Sequence, residues 1–126
     1  MKIKSFLAKP LAAIVNKQIQ KAKKTAVADQ DAILQKMISV GRNTLFGKDH
    51  GLDQANTYED FKRAVPIRDY EAFIPYIDKI KSGQENVLWK GKPSYFAKTS
   101  GTTAGVKYIP ITKDSTPNLI NGAKNA

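Results

Sequence analysis

Between two β-prone runs, Tyr95-Phe96-Ala97 and Tyr108-Ile109-Pro110-Ile111, lies the stretch Thr99-Ser-Gly-Thr-Thr-Ala-Gly-Val-Lys107. Strand-forming sequence that stops and resumes across so short a polar segment predicts a strand–loop–strand unit. Gly101 and Gly105 let the backbone take positive φ and bring N–H groups close to an anion. The hydroxyls of Thr99, Ser100, Thr102 and Thr103 can each donate a hydrogen bond, and Lys107 adds a positive charge. The segment therefore reads as a candidate phosphate-binding loop. The same composition also suits a polar hairpin without a ligand, and Lys107 also suits a solvent-facing strand position. Composition alone does not separate these readings.

The spacing excludes the commonest phosphate loops. A Walker A loop needs Gly-x-x-x-x-Gly-Lys-Ser/Thr. Here the glycines stand four apart, and Val106 separates Gly105 from the lysine. No Gly-x-Gly-x-x-Gly run for a dinucleotide occurs either.

Around the loop stand further blocks in order: Phe46-Gly47, His50-Gly51, Phe61-Lys-Arg-Ala-Val-Pro66-Ile-Arg-Asp-Tyr70-Glu, Pro75-Tyr-Ile-Asp-Lys-Ile, Gly83-Gln-Glu85, Leu88-Trp89-Lys-Gly91 and Pro93-Ser-Tyr-Phe96. The loop resembles the phosphate-binding motif of adenylate-forming enzymes, the acyl-CoA synthetase and luciferase superfamily. The ordered blocks, from roughly Thr44 to Thr112, resemble the auxin-responsive Gretchen Hagen family of acyl acid–amido synthetases. The resemblance implies an ATP-dependent ligase. In such an enzyme a carboxylic acid forms an acyl-adenylate, and an amine or amino acid then displaces AMP. It implies that Thr99, Ser100, Thr102 and Thr103 contact the β and γ phosphates, with Gly101 and Gly105 shaping the loop and Lys107 at its margin. ATP is the implied substrate, with Mg²⁺ accompanying it, although no residue here is identified as a metal ligand.

The expected fold is α/β, with N-terminal helices followed by a strand–phosphate-loop–strand unit belonging to a larger adenylate-forming domain. The expected layout is a basic helical lead over 1–43, a family-like core over 44–112 and a helix cut short over 113–126. Enzymes of this kind run to several hundred residues, so the 126 residues are expected to be an N-terminal portion, inactive alone. The remainder of its own polypeptide is then an expected partner.

The formal charge of +10 belongs to one segment. Seven lysines (Lys2, Lys4, Lys9, Lys17, Lys21, Lys23 and Lys24) precede Asp29, and no acidic residue does. From Asp29 onward, 14 basic residues face 11 acidic ones. In the lysine-rich segment Leu7, Leu11, Ile14, Val15, Ile19 and Ala22 recur at helical spacing, which predicts a basic amphipathic helix. Such a helix either packs on its own protein or contacts an anionic membrane or partner. The second possibility gives the alternative function, a stand-alone binding module. Phe6 is the one aromatic residue among these lysines, too few for the interleaving that a base-stacking surface needs. No apolar run reaches membrane-span length, and Lys9-Pro10 interrupts any signal-type apolar core. A cytoplasmic protein without nucleic-acid partners or stable membrane insertion is expected.

The absence of cysteine excludes disulfides and thiolate metal sites. His50 is the single histidine, and with Asp49 and Asp53 nearby it makes too small a set for a metal. Asp29 is expected to cap a second helix with Ile33, Leu34, Met37, Ile38 and Gly41 on its apolar face. Residues 43–56 read as loop. Thr57-Tyr-Glu-Asp60 has capping-box form, and the helix it opens should end before Pro66. Asp69 can cap a further turn, Pro75 can begin or kink a helix running to Lys81, and Gly83 should stop it. Tyr70, Phe73, Ile74, Ile77 and Ile80 form the expected buried stripe. Trp89 reads as a packing anchor and Thr112 as a helix cap. Pro110, lacking an N–H, predicts an edge strand or a bulge.

Overall fold

The computed structural model describes residues 2–100 and 105–125. Among them the fold mixes helices with one small antiparallel sheet. The chain divides into two compact units, Met1–Lys36 and Met37–Ala126.

The first unit is helical. Helix α1 spans Lys2–Gly41, with Pro10 inside it. The expected break at Asp29 is absent, because this carboxylate serves the helix from its side. Its Oδ2 accepts a hydrogen bond from Thr25 Oγ1 at 2.6 Å, one turn earlier, so Asp29 caps nothing. Lys17, Lys21, Lys23 and Lys24 are exposed, and so are Ile14, Val15 and Ile19 of the predicted apolar stripe.

In the second unit the end of α1 carries Ile38 and Gly41 into the interior, while Met37 of the same predicted face stays exposed. Residues 43–56 are not all loop. Thr44 turns the chain into a short helix, α2 (Leu45–Asp49), by accepting the Gly47 N–H on its hydroxyl at 3.0 Å. That hydroxyl also donates to the Gly41 carbonyl at 2.7 Å, which is how a threonine at 1% exposure keeps its polar atom satisfied. The unsatisfied first N–H groups of α2 find partners outside the helix. Leu45 donates to the Asn86 carbonyl at 2.8 Å and Phe46 to that of Val87 at 3.0 Å.

Helix α3 (Tyr58–Ala64) opens with the predicted capping box. Thr57 Oγ1 accepts from the Asp60 N–H at 3.1 Å, and Asp60 Oδ2 accepts from the Thr57 N–H at 3.0 Å. It ends at Val65, just before Pro66, as expected. Asp69 caps the 3₁₀ turn Glu71–Phe73 by accepting the Ala72 N–H at 3.2 Å. Helix α4 (Ile74–Lys81) has Pro75 in its first turn, where a missing N–H is harmless. Gly83, at φ +96°, stops it. The Gln84 N–H reaches the Lys79 carbonyl and the Gly83 N–H reaches that of Ile80, both at 3.0 Å, the bond pair of a Schellman ending. Ile77 and Ile80 are buried, but Ile74 of the expected stripe is 40% exposed. It sits at the first position of the helix, before the stripe reaches the core.

Strands β1 (Tyr95–Ser100) and β2 (Val106–Ile111) pair antiparallel, with Tyr95 opposite Ile111 and Ser100 opposite Val106. Ile77, Ile80 and Val87 form the central core cluster, and Leu45, Tyr76, Leu88, Phe96 and Tyr108 pack on it. The core thus holds one face of the hairpin against α4. Helix α5 (Thr116–Asn125) follows a turn in which Thr112 Oγ1 accepts the Ser115 N–H at 3.2 Å. Thr112 therefore caps the turn that leads into α5, and the helix itself begins later than the sequence suggests.

Candidate functional site

The predicted loop segment begins in β1 and ends in β2, and the ladder between these strands closes with the Ser100–Val106 pair. Gly101, Thr102 and Thr103 lie outside the described residues, as does the Ser100 side chain. Gly105 re-enters at φ +76°. A side chain there would be strained.

Thr99 and Lys107 stand directly opposite each other at the base of the loop. Cross-strand partners share a face of a sheet, so these two residues lie side by side. Thr99 is exposed. Lys107 is half-buried, with Nζ 5.4 Å from the centre of the Tyr70 ring, a cation–π arrangement. It is a strand residue partly sheltered by an aromatic ring, not a freely solvated lysine.

Tyr70 is the residue that sequence reasoning assigns only to the core. Its hydroxyl accepts the Tyr108 N–H at 2.7 Å and donates to the Tyr108 carbonyl at 3.3 Å. One phenol thereby occupies both the N–H and the carbonyl of Tyr108. From α4, Lys81 Nζ stands 3.9 Å from the centre of the Tyr108 ring, and that ring meets Phe96 edge-on. Tyr70, Lys81 and Tyr108 together anchor the strand that carries the loop. Their separation of up to 38 positions in sequence leaves no periodic signal to find.

His50 fits a structural loop role. Its ring stacks on Phe46 at 4.0 Å, and Nδ1 lies 2.7 Å from the Phe46 carbonyl. A carbonyl only accepts, so Nδ1 carries the hydrogen. Tyr76 joins this cluster edge-on to Phe46 and donates to Asp49 Oδ2 at 2.9 Å. Burial first, and then the Asp49 carboxylate, push the Tyr76 hydroxyl above its ordinary pKa. Trp89 is half-buried and donates from Nε1 to Asp114 at 3.1 Å, and Lys90 pairs with the same carboxylate at 3.2 Å. A cavity of about 190 Å³ lined by Trp89, Pro93, Pro110 and Thr112 lies at the end of the hairpin away from the loop. Among the described residues no group of three or more His, Cys, Asp or Glu could hold a metal ion, and no helix is long and apolar enough to cross a membrane.

Residues 15–125 match the GH3 family N-terminal domain. Over 94 residues the chain is 32% identical to indole-3-acetic acid-amido synthetase GH3.15 of Arabidopsis thaliana, covering 73% of this chain and 16% of the relative. It is 30% identical over 87 residues to jasmonoyl–L-amino acid synthetase JAR4 of Nicotiana attenuata, covering 68% of this chain and 15% of the relative. Against indole-3-acetic acid-amido synthetase GH3.8 of Oryza sativa subsp. indica the identity is 32% over 89 residues, covering 69% and 15%. The chain thus spans about one sixth of the length of these curated relatives. Its matched span takes in α2, the capping box, α4 and the whole hairpin, and the chain belongs to the GH3 family of acyl acid–amido synthetases, within that family's N-terminal domain.

Proposed function

We propose that this chain is the phosphate-binding part of an ATP-dependent ligase that joins a carboxylic acid to an amine, such as an amino acid, through an acyl-adenylate. The acid's carboxylate oxygen attacks the α-phosphorus of ATP, and the bond to the bridging oxygen breaks, releasing pyrophosphate. The amine nitrogen then attacks the acyl carbonyl, AMP leaves, and the nitrogen loses a proton. Thr99, Ser100, Thr102 and Thr103 donate hydrogen bonds to the β and γ phosphates. Gly101 and Gly105 shape the loop, and Lys107 offsets the charge that grows on the leaving pyrophosphate. Donors held in place before the reaction lower its barrier electrostatically.

The observation that carries this reading is the Thr99–Lys107 pair at the base of a hairpin whose re-entry residue, Gly105, has positive φ. The relatives' names support an acid and an amino acid as substrates. Mg²⁺ belongs with the nucleotide as its counter-ion; the described residues present no cluster to hold it. The setting is cytoplasmic. In the full-length protein, Thr102→Ala and Ser100→Ala should each slow acid-dependent exchange of pyrophosphate into ATP by about tenfold or more. Wild-type exchange in both would remove the loop from the reaction.

A further inference from the structure

Resting on that reading of the loop, we infer that Tyr70 is a positioning residue for ATP, fixing β2 and Lys107 where the triphosphate is to be held. The strand leaving a phosphate loop has two ways to drift: it can slide along its neighbour, or its lysine can swing into water. Tyr70 opposes both. Its hydroxyl binds both the N–H and the carbonyl of Tyr108, at 2.7 and 3.3 Å, so sliding by even one residue breaks both bonds. Its ring lies 5.4 Å from Lys107 Nζ, which restrains the ammonium without neutralising it, as a carboxylate partner would.

The surroundings fit this assignment. β2 is an edge strand among the described residues, with β1 its one ladder partner, and an edge strand without further anchoring is a poor platform for a site that needs fixed geometry. The Tyr70 phenol takes the place of a third strand at the position next to Lys107. Lys81, 3.9 Å from the centre of the Tyr108 ring, holds the same residue from α4. Among the described residues Tyr70 touches no donor of the loop except Lys107, so it acts through the strand and is not a catalytic residue.

The test uses the full-length protein and steady-state pyrophosphate exchange. Tyr70→Phe removes both hydrogen bonds and keeps the ring; Lys107→Met removes the ammonium and leaves the Tyr70–Tyr108 bonds in place. Tyr70→Phe should raise the KM for ATP about fivefold to tenfold with the KM for the acid unchanged, the effect of losing about one or two hydrogen bonds. Lys107→Met should raise the same constant, and the double variant should fall short of the product of the two effects. An unchanged KM for ATP in Tyr70→Phe overturns the inference. So does a loss that falls equally on both substrates with a lowered melting temperature, which marks a merely structural role. If Tyr70→Phe does not fold, an unchanged KM for ATP in Lys107→Met overturns it alone. Impaired exchange in Thr102→Ala beside wild-type behaviour in both Tyr70→Phe and Lys107→Met sinks only the inference, whereas wild-type Thr102→Ala and Ser100→Ala sink the loop reading itself.

Discussion

Gly47→Ala should be among the most damaging single-methyl additions in this chain, for a reason visible in the backbone. A Cβ built on Gly47 would lie 1.9 Å from the Gly41 carbonyl oxygen, 2.7 Å from its carbon and 3.2 Å from Arg42 Cα. An ordinary carbon–oxygen contact is about 3.3–3.6 Å, so the overlap exceeds about 1 Å. All three neighbours are backbone atoms, and no rotamer change relieves the clash. Moving the Gly41 carbonyl away would strip it of the Thr44 N–H and Thr44 Oγ1 hydrogen bonds, at 2.9 and 2.7 Å. The buried Thr44 hydroxyl would then lose its acceptor. Overpacking contributes about 1–3 kcal/mol and each lost bond about 1 kcal/mol, for a total of roughly 3–5 kcal/mol. With a urea slope of about 1–3 kcal/mol per molar, the unfolding midpoint should fall by roughly 1–5 M. Gly122→Ala is the control. It meets nothing within 4 Å and lies inside α5, so it should gain about 0.5–1 kcal/mol. A Gly47→Ala midpoint within about 0.3 M of wild type would refute the close-approach argument.

Arg42→Met should destabilise the protein by about 2–4 kcal/mol in the same urea assay. The guanidinium donates to the carbonyls of Leu52 and Ala55 and to Asn56 Oδ1, at 3.1, 2.6 and 2.8 Å. Arg42→Lys should recover little of this, since an ammonium cannot fork to three acceptors in that geometry; full recovery would argue that charge alone matters. Asp60 gives a pH signature. The Thr57 hydroxyl, then the Asn56 and Thr57 N–H groups and the Arg63 guanidinium, hold its carboxyl down to about 2 from 3.8. A depressed carboxylate adds stability above its unfolded value and loses it as pH falls through the folded one. Stability should therefore decline between about pH 4 and pH 2, and Asp60→Asn should flatten that part of the profile. Carbon-detected NMR of the carboxyl should show its midpoint near 2; a midpoint at the ordinary carboxylate value would contradict the capping-box geometry.

The features legible in the sequence are those fixed by a few neighbouring residues. Thr57 with Asp60, Asp69, Pro75 and Gly83 each act within four positions, so the residue order alone suffices to place their caps and stops. Gly47 is legible as a glycine but not by its role. In sequence it reads as loop punctuation, whereas in the fold it is a contact point that lets α2 press on the end of α1. Asp29 misleads for the opposite reason. An aspartate suits an N-cap, and only the Thr25 hydroxyl one turn before it shows that the helix continues. Arg42 and Tyr70 bind backbone groups 10 to 38 positions away, and side chains that clasp distant backbone leave no periodic trace. For the loop, the hydroxyls, glycines and lysine of the sequence give an expectation of chemistry, and the structure adds the pairing of Thr99 with Lys107 on the strands that flank it.

The measurement that bears most directly on this account follows the fate of ATP in the full-length protein, with a panel of carboxylic acids and with amine left out. The account predicts acid-dependent return of labelled pyrophosphate into ATP without amine, and AMP with pyrophosphate as the products once an amino acid is added. Release of ADP and orthophosphate instead, or no exchange with any acid until amine is present, would contradict an adenylate intermediate and the role given to the loop.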